Sequence, residues 1–170
     1  MIGGEGYLIR TDFRTAVRYE MAAIGGYLTE ELFRSLWFPD RQPEDLEAAM
    51  DAVAWFYAMG KPGDGSDGPI PYGFARDAGP ILAAFQAHYG VDLTEADMHW
   101  WRFRALLEGL LGHSFRQRVG YRTADLKGLD AARRAEILKY RSLYAIHQEE
   151  SLEDHLRRLQ SLSHINQEGK

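Results

Sequence analysis

The chain has 170 residues, 45% of them hydrophobic, with 4 Trp, 9 Tyr, 8 Phe, no Cys and a formal net charge of −5. That is enough apolar material for one core, divided here into a helical domain (1–150) and a C-terminal amphipathic helix with a tail (151–170). The acidic balance argues against a nucleic-acid surface, which would be basic, and the lack of cysteine rules out disulfides and thiolate zinc sites.

The opening M-I-G-G-E-G-Y is rich in glycine and has no signal-peptide pattern. Thr11 or Asp12 caps the first helix, whose apolar stripe is Phe13, Val17, Met21 and Ile24. Arg14, Arg18 and Glu20 take its wet side, and Gly25-Gly26 stops it. Thr29 opens a second helix with Glu30 and Glu31 at its positive end, and Leu32, Phe33 and Leu36 as the buried side. Pro43 suits the first turn of a third helix with a stripe of Leu46, Met50, Val53 and Tyr57, ended by Gly60. A breaker-rich loop follows, G-K-P-G-D-G-S-D-G-P-I-P.

The central stretch, Tyr72 to Leu111, reads as two helices. Asp77 is the expected N-cap of the first, with Pro80 in its first turn, apolar Ile81 and Phe85, and Gly90 as the C-terminal stop. Thr94 is the expected N-cap of the second, with Asp97 completing a capping-box variant and Leu93 and Met98 forming a hydrophobic staple. Trp100, Phe103, Leu106, Leu107, Leu110 and Leu111 share one broad arc. Met98, Trp101 and Ala105 fall on another side. A helix apolar on two sides is central to a core or leaves a sticky face for a partner.

A short helix is expected over 114–119, a connector over 121–127, and a longer helix capped by Asp130 with Ile137, Tyr140 or Arg141, and Tyr144 on one face. Leu152, Leu156 and Leu159 then form a narrow stripe in the last segment, a second place for leftover apolar surface. No stretch shows the alternation of a strand. The fold class is therefore all-α: a single compact bundle of about six to eight helices with a C-terminal helical extension.

The chemistry of catalysis is sparse. His88, Asp92, Asp97 and His99 lie close in sequence, but Asp97 is explained as a cap and His99 as a core histidine with one backbone partner. His147, His155 and His164 match no zinc-protease spacing, and no phosphate loop or nucleophile elbow occurs. Arg102, Arg104, Arg116, Arg118 and Arg122 cluster, yet side chains two apart on a helix diverge by about 160°. They read as a solvated, salt-bridged surface. No catalytic residue, metal ligand or cofactor is expected, and partner-binding falls to Met98, Trp101, Ala105, Leu152, Leu156 and Leu159.

The run F-x-x-D-x-x-x-I-x-x-x-F-x-x-x-Y-G-V-D-L, followed by M-H-W-W-x-F-x-A-L-L-x-G-L, Phe115 and Tyr121-Arg122, resembles the bacteriophage gene-product-fifteen family. The resemblance extends from about Leu8 to Tyr144. It departs from the family at Gly73, where an acidic residue is usual. It implies a non-enzymatic protein of tail morphogenesis in long-tailed phages and prophages, acting in the host cytoplasm. The expected role is a tail assembly chaperone that binds tail tube or tape-measure protein, with no nucleic-acid or membrane partner and with self-association left open. The alternatives are a structural component of the mature tail and, further off, a metal-dependent enzyme needing His88, Asp92 and His99 to converge.

Overall fold

The computed structural model describes residues 2, 5–61, 71–110 and 114–146. The expected helix around Leu152, Leu156 and Leu159, and most of the glycine- and proline-rich loop, lie outside them. Among the described residues there are seven α-helices and no strand: α1 (Phe13–Ile24), α2 (Glu30–Trp37), α3 (Leu46–Tyr57), α4 (Phe74–Tyr89), α5 (Trp100–Gly109), α6 (Ser114–Thr123) and α7 (Ala131–Leu143). The protein is all-α, as its periodicity indicates.

Local signals place several ends. The Asp12 side chain accepts from Arg14 N–H, Thr29 from Leu32 N–H and Asp130 from Arg133 N–H, each meeting a donor that the helix leaves unpaired. Gly90 ends α4 in the left-handed region, at φ 65°, where a side chain would be strained.

Other boundaries move. The third helix is capped by Asp45 and starts at Leu46, with Pro43 buried ahead of it instead of occupying its first turn. Met50, expected in the stripe, is exposed, because Ala49, Val53 and Phe56 supply the buried face of α3. Thr94 does not cap α5. Asp92 instead accepts from both the backbone N–H and the hydroxyl of Thr94, forming a turn, and the helix begins only at Trp100. Its cap is His99, whose Nδ1 accepts from Trp101 N–H at 3.1 Å. His99 is therefore exposed and not in the core. The sixth helix runs on to Thr123, so the expected connector shifts toward α7.

α1 is the hub, packing against α2, α4 and α5. Two backbone bonds lash its start to the start of α5, Trp100 N–H to Thr11 O at 2.7 Å and Phe13 N–H to Met98 O at 3.0 Å. Above this join the rings form a column. Phe13 and Phe85 each stack on Phe103, at 4.8 and 5.2 Å between centroids, and Trp100 stacks beside it at 5.7 Å. Each of these side chains is almost fully buried, and burying one contributes about 1.5–3 kcal/mol against the entropy of ordering the chain.

The second half of the chain is held by charge. Asp77 is not the cap of α4; Gly73 is, and the Asp77 carboxylate reaches back to accept its N–H at 3.1 Å. The reason lies in α6. Arg122, expected on a solvated surface, is 4% exposed and grips the fully buried Asp77 with its two terminal guanidinium nitrogens, at 2.6 and 3.0 Å. It also donates to Tyr144 O at 2.6 Å and Pro71 O at 3.1 Å, while Arg118 stands 3.6 Å from the same carboxylate. One planar fork thus joins α4, α6, the segment before α4 and the end of α7. α4 starting at Phe74 puts Pro80 inside the helix rather than in its first turn.

Removing one partner of this pair leaves an unpaired buried charge. Asp77→Ala is expected to cost about 3–5 kcal/mol in urea unfolding, and the double change Asp77→Leu with Arg122→Met to recover only part of it, because Gly73 N–H, Tyr144 O and Pro71 O then lose their partners. A loss below about 1 kcal/mol for the single change would mean the pair is solvated.

Candidate functional site

α3 ends under the two adjacent tryptophans. The last carbonyls of a helix have no partner within it, and here the indoles supply two. Trp100 Nε1–H donates to Tyr57 O and Trp101 Nε1–H to Phe56 O, both at 2.8 Å. The paired tryptophans thereby divide their work. Trp100 is fully buried in the ring column. Trp101 lies half-buried across the outer side of α3, stacked on Phe56 at 5.8 Å and edge-on to Trp55 at 6.0 Å. Trp55 is 58% exposed and Met50, on the same helix, is 50% exposed. Trp55 and Trp101 give the α3–α5 side large apolar groups open to water, the kind of surface that marks a docking region, whereas Met50 is turned about 140° from Trp55 around α3 and is exposed on another side of it.

The six residues expected to bind a partner do not come together. Trp101 and Ala105 lie one turn apart on α5, half-buried and exposed respectively. Met98 precedes the helix and is buried, so its side chain offers no surface. Leu152, Leu156 and Leu159 lie outside the described residues. Trp55 was missed. The signal was present in the composition of α3, where Ala, Trp and Phe surround the stripe, but only the packing shows which apolar face is left open.

Below the rim sits a polar cluster. Glu20, expected on the wet side of α1, turns inward and accepts from the Tyr57 hydroxyl. Burial pushes its carboxyl above the ordinary value of 4.5, against the lowering effects of that bond and of Arg104. Burial also raises Tyr57 well beyond its usual range and takes Tyr72 up to about 12. Arg104 carries the compensating charge, pairs with Glu108 at 3.3 Å and lies over the Trp100 ring at 5.5 Å. Glu20 lines two cavities. One, of about 320 Å³, has Met21, Ile24, Tyr27, Phe74 and Ile146 in its wall. The other, of about 580 Å³, runs between α1 and α3 with Tyr19, Ala23, Trp55, Tyr57 and Lys61.

The residues a metal enzyme would need are engaged separately. Asp92 holds the Thr94 turn, His99 caps α5, and His88 packs edge-on to Tyr89 at 4.6 Å. Among the described residues no three acidic or histidine side chains cluster as metal ligands. No helix among them is long and apolar enough to cross a membrane.

The chain matches the family model described as bacteriophage Gp15 protein over residues 1–146. It belongs to that family and is a phage protein. It matches no curated protein and no solved structure.

Two outcomes follow for the site. Trp100→Phe, which strips a donor from Tyr57 O and opens space in the core, is expected to cost about 2–4 kcal/mol in urea unfolding, and Trp101→Phe about 1 kcal/mol or less. Because the folded state holds the Glu20 proton more tightly than the unfolded chain, Glu20 ionisation removes stability as pH rises through 4.5 and above. The melting temperature of Glu20→Gln should therefore gain on the wild type over that rise; parallel pH profiles would show that the burial of Glu20 carries no such cost.

Proposed function

We propose that the protein is a tail assembly chaperone, holding tail tube or tape-measure protein in soluble form until the tail polymerises. The observation that carries this reading is the open aromatic rim of Trp55 and Trp101 in a chain of a phage family. Aromatic and methionine side chains anchor protein interfaces, and a few of them supply most of the binding energy. A reversible chaperone needs such anchors without covalent chemistry. An apolar segment of the partner would lie across the α3–α5 seam, covering Trp55 and reaching Trp101 and Ala105 on α5. The protein would act in the host cytoplasm, where tail proteins are made, with no nucleic-acid or membrane partner.

Co-expression with the tape-measure and tail tube proteins tests this. The wild type is expected to raise their soluble fraction and co-purify with one of them. Trp55→Ala should weaken that complex by about 2 kcal/mol or more while shifting its own stability by less than about 1 kcal/mol. Mass spectrometry of purified particles separates a chaperone, which leaves, from a structural component, which stays at stoichiometric amounts.

A further inference from the structure

The groove between α1 and α3 carries more chemistry than an apolar docking face requires. Its wall holds three aromatic residues, Tyr19, Tyr57 and Trp55, with small Ala23, Ala54 and Ala58 between them, and the Glu20 carboxylate lies among them. Tyr19 and Tyr57 meet edge to face at 5.6 Å, which fixes their rings. A carboxylate can accept about four hydrogen bonds; among the described residues the Tyr57 hydroxyl is the donor that reaches Glu20. We propose that this groove binds a cationic side chain, an arginine or lysine on the partner's docking segment, with Glu20 as its counter-ion and Tyr19, Tyr57 and Trp55 as its aromatic walls.

Charge complementarity selects this occupant. An anion would be repelled by Glu20, and a purely apolar side chain would leave the carboxylate desolvated with spare lone pairs. A cation over aromatic faces is attracted by the rings as well as by the carboxylate. The volume of about 580 Å³ exceeds one such side chain, so adjoining apolar residues of the partner fit beside it along the alanines. The charged and titratable groups around Glu20 are Tyr57 at the end of α3, Arg104 on α5, Tyr72 before α4 and Tyr19 beside it on α1, with Lys61 further along the groove and Tyr27 and Arg76 in the wall of the neighbouring cavity. Arg104 is already paired with Glu108. Lys61 works against an incoming cation, so its removal should strengthen binding.

The inference rests on the chaperone reading for the identity of the partner, but the site can be tested without one. The probe is N-acetyl-arginine methylamide, titrated into the full chain while the Trp55 indole N–H is followed by NMR. The uncharged isostere N-acetyl-citrulline methylamide is the control. The wild type is expected to show a saturable shift with the arginine probe and none with citrulline. Glu20→Gln should weaken binding at least ~tenfold, Lys61→Ala should tighten it, and lowering the pH should weaken it as Glu20 takes up its proton. A thermal melt of Glu20→Gln confirms that the fold is intact, and Trp55→Phe, at an exposed position, identifies the indole resonance. Equal binding of citrulline, undiminished binding by Glu20→Gln, or no saturable shift at all would overturn the site. Co-purification with tail proteins is scored separately. A wild type that binds the arginine probe but retains no tail protein sinks the chaperone reading and leaves the site. A tail complex equally strong with Glu20→Gln does the reverse.

Discussion

Asp77 and Arg122 are 45 residues apart in sequence and share one buried site. Neither side chain could be buried alone, since the desolvation of an isolated charge costs several kcal/mol. Their union dictates where α4 begins, because the same carboxylate holds Gly73 N–H, and where α7 finishes, because the same guanidinium holds Tyr144 O. The tyrosines at this end then close on one another, with Tyr121 stacked on Tyr140 at 4.5 Å and Tyr140 on Tyr144 at 6.0 Å. A fork with five donors in one plane is suited to joining several segments at a point. A lysine here could not make the same set of bonds.

The other half of the protein is organised by rings. The stacked column of Phe13, Phe103 and Phe85 forms the centre, and the indoles of Trp100 and Trp101 tie that centre to the end of α3. The indole bonds that complete α3 also hold Trp101 beside Trp55, so the exposed aromatic rim is braced by the core beneath it. A rigid aromatic rim loses less conformational freedom on capturing a partner than a mobile one would. Glu20, between the rim and the core, is a point along the α1–α3 groove where burial and charge conflict. Such conflicts between local preference and packing are concentrated where a protein meets its ligands.

Capping was legible where it depended on neighbours. Asp12, Thr29, Asp130 and Gly90 perform the roles their positions suggest, since a cap bonds a donor two or three residues away. It failed where a distant group competed. Asp77 stands where a cap is expected but is claimed by Arg122, and Thr94 is claimed by the Asp92 turn, leaving His99 to cap α5. Arg122 looked solvated because the arginines of its stretch do not line up on one face, the chain is acidic overall, and its acidic partner lies on another helix. Met50 was expected in the buried stripe and Trp55 carried no expectation at all, for the opposite reason. α3 is apolar around much of its circumference, and periodicity cannot say which part the rest of the chain will cover.

The order of residues alone determined that this protein is helical, where most of its helices stop, that its centre is aromatic, and, through the paired motifs of the central stretch, that it belongs with phage proteins. These properties arise from contacts within a few residues or from the pattern of whole segments. Only the tertiary structure decided that Arg122 is buried, that Met98 is not surface, that Trp55 is, and that Glu20 faces a groove. Each of those outcomes depends on which helix lies across from which, and no spacing along one helix contains that information.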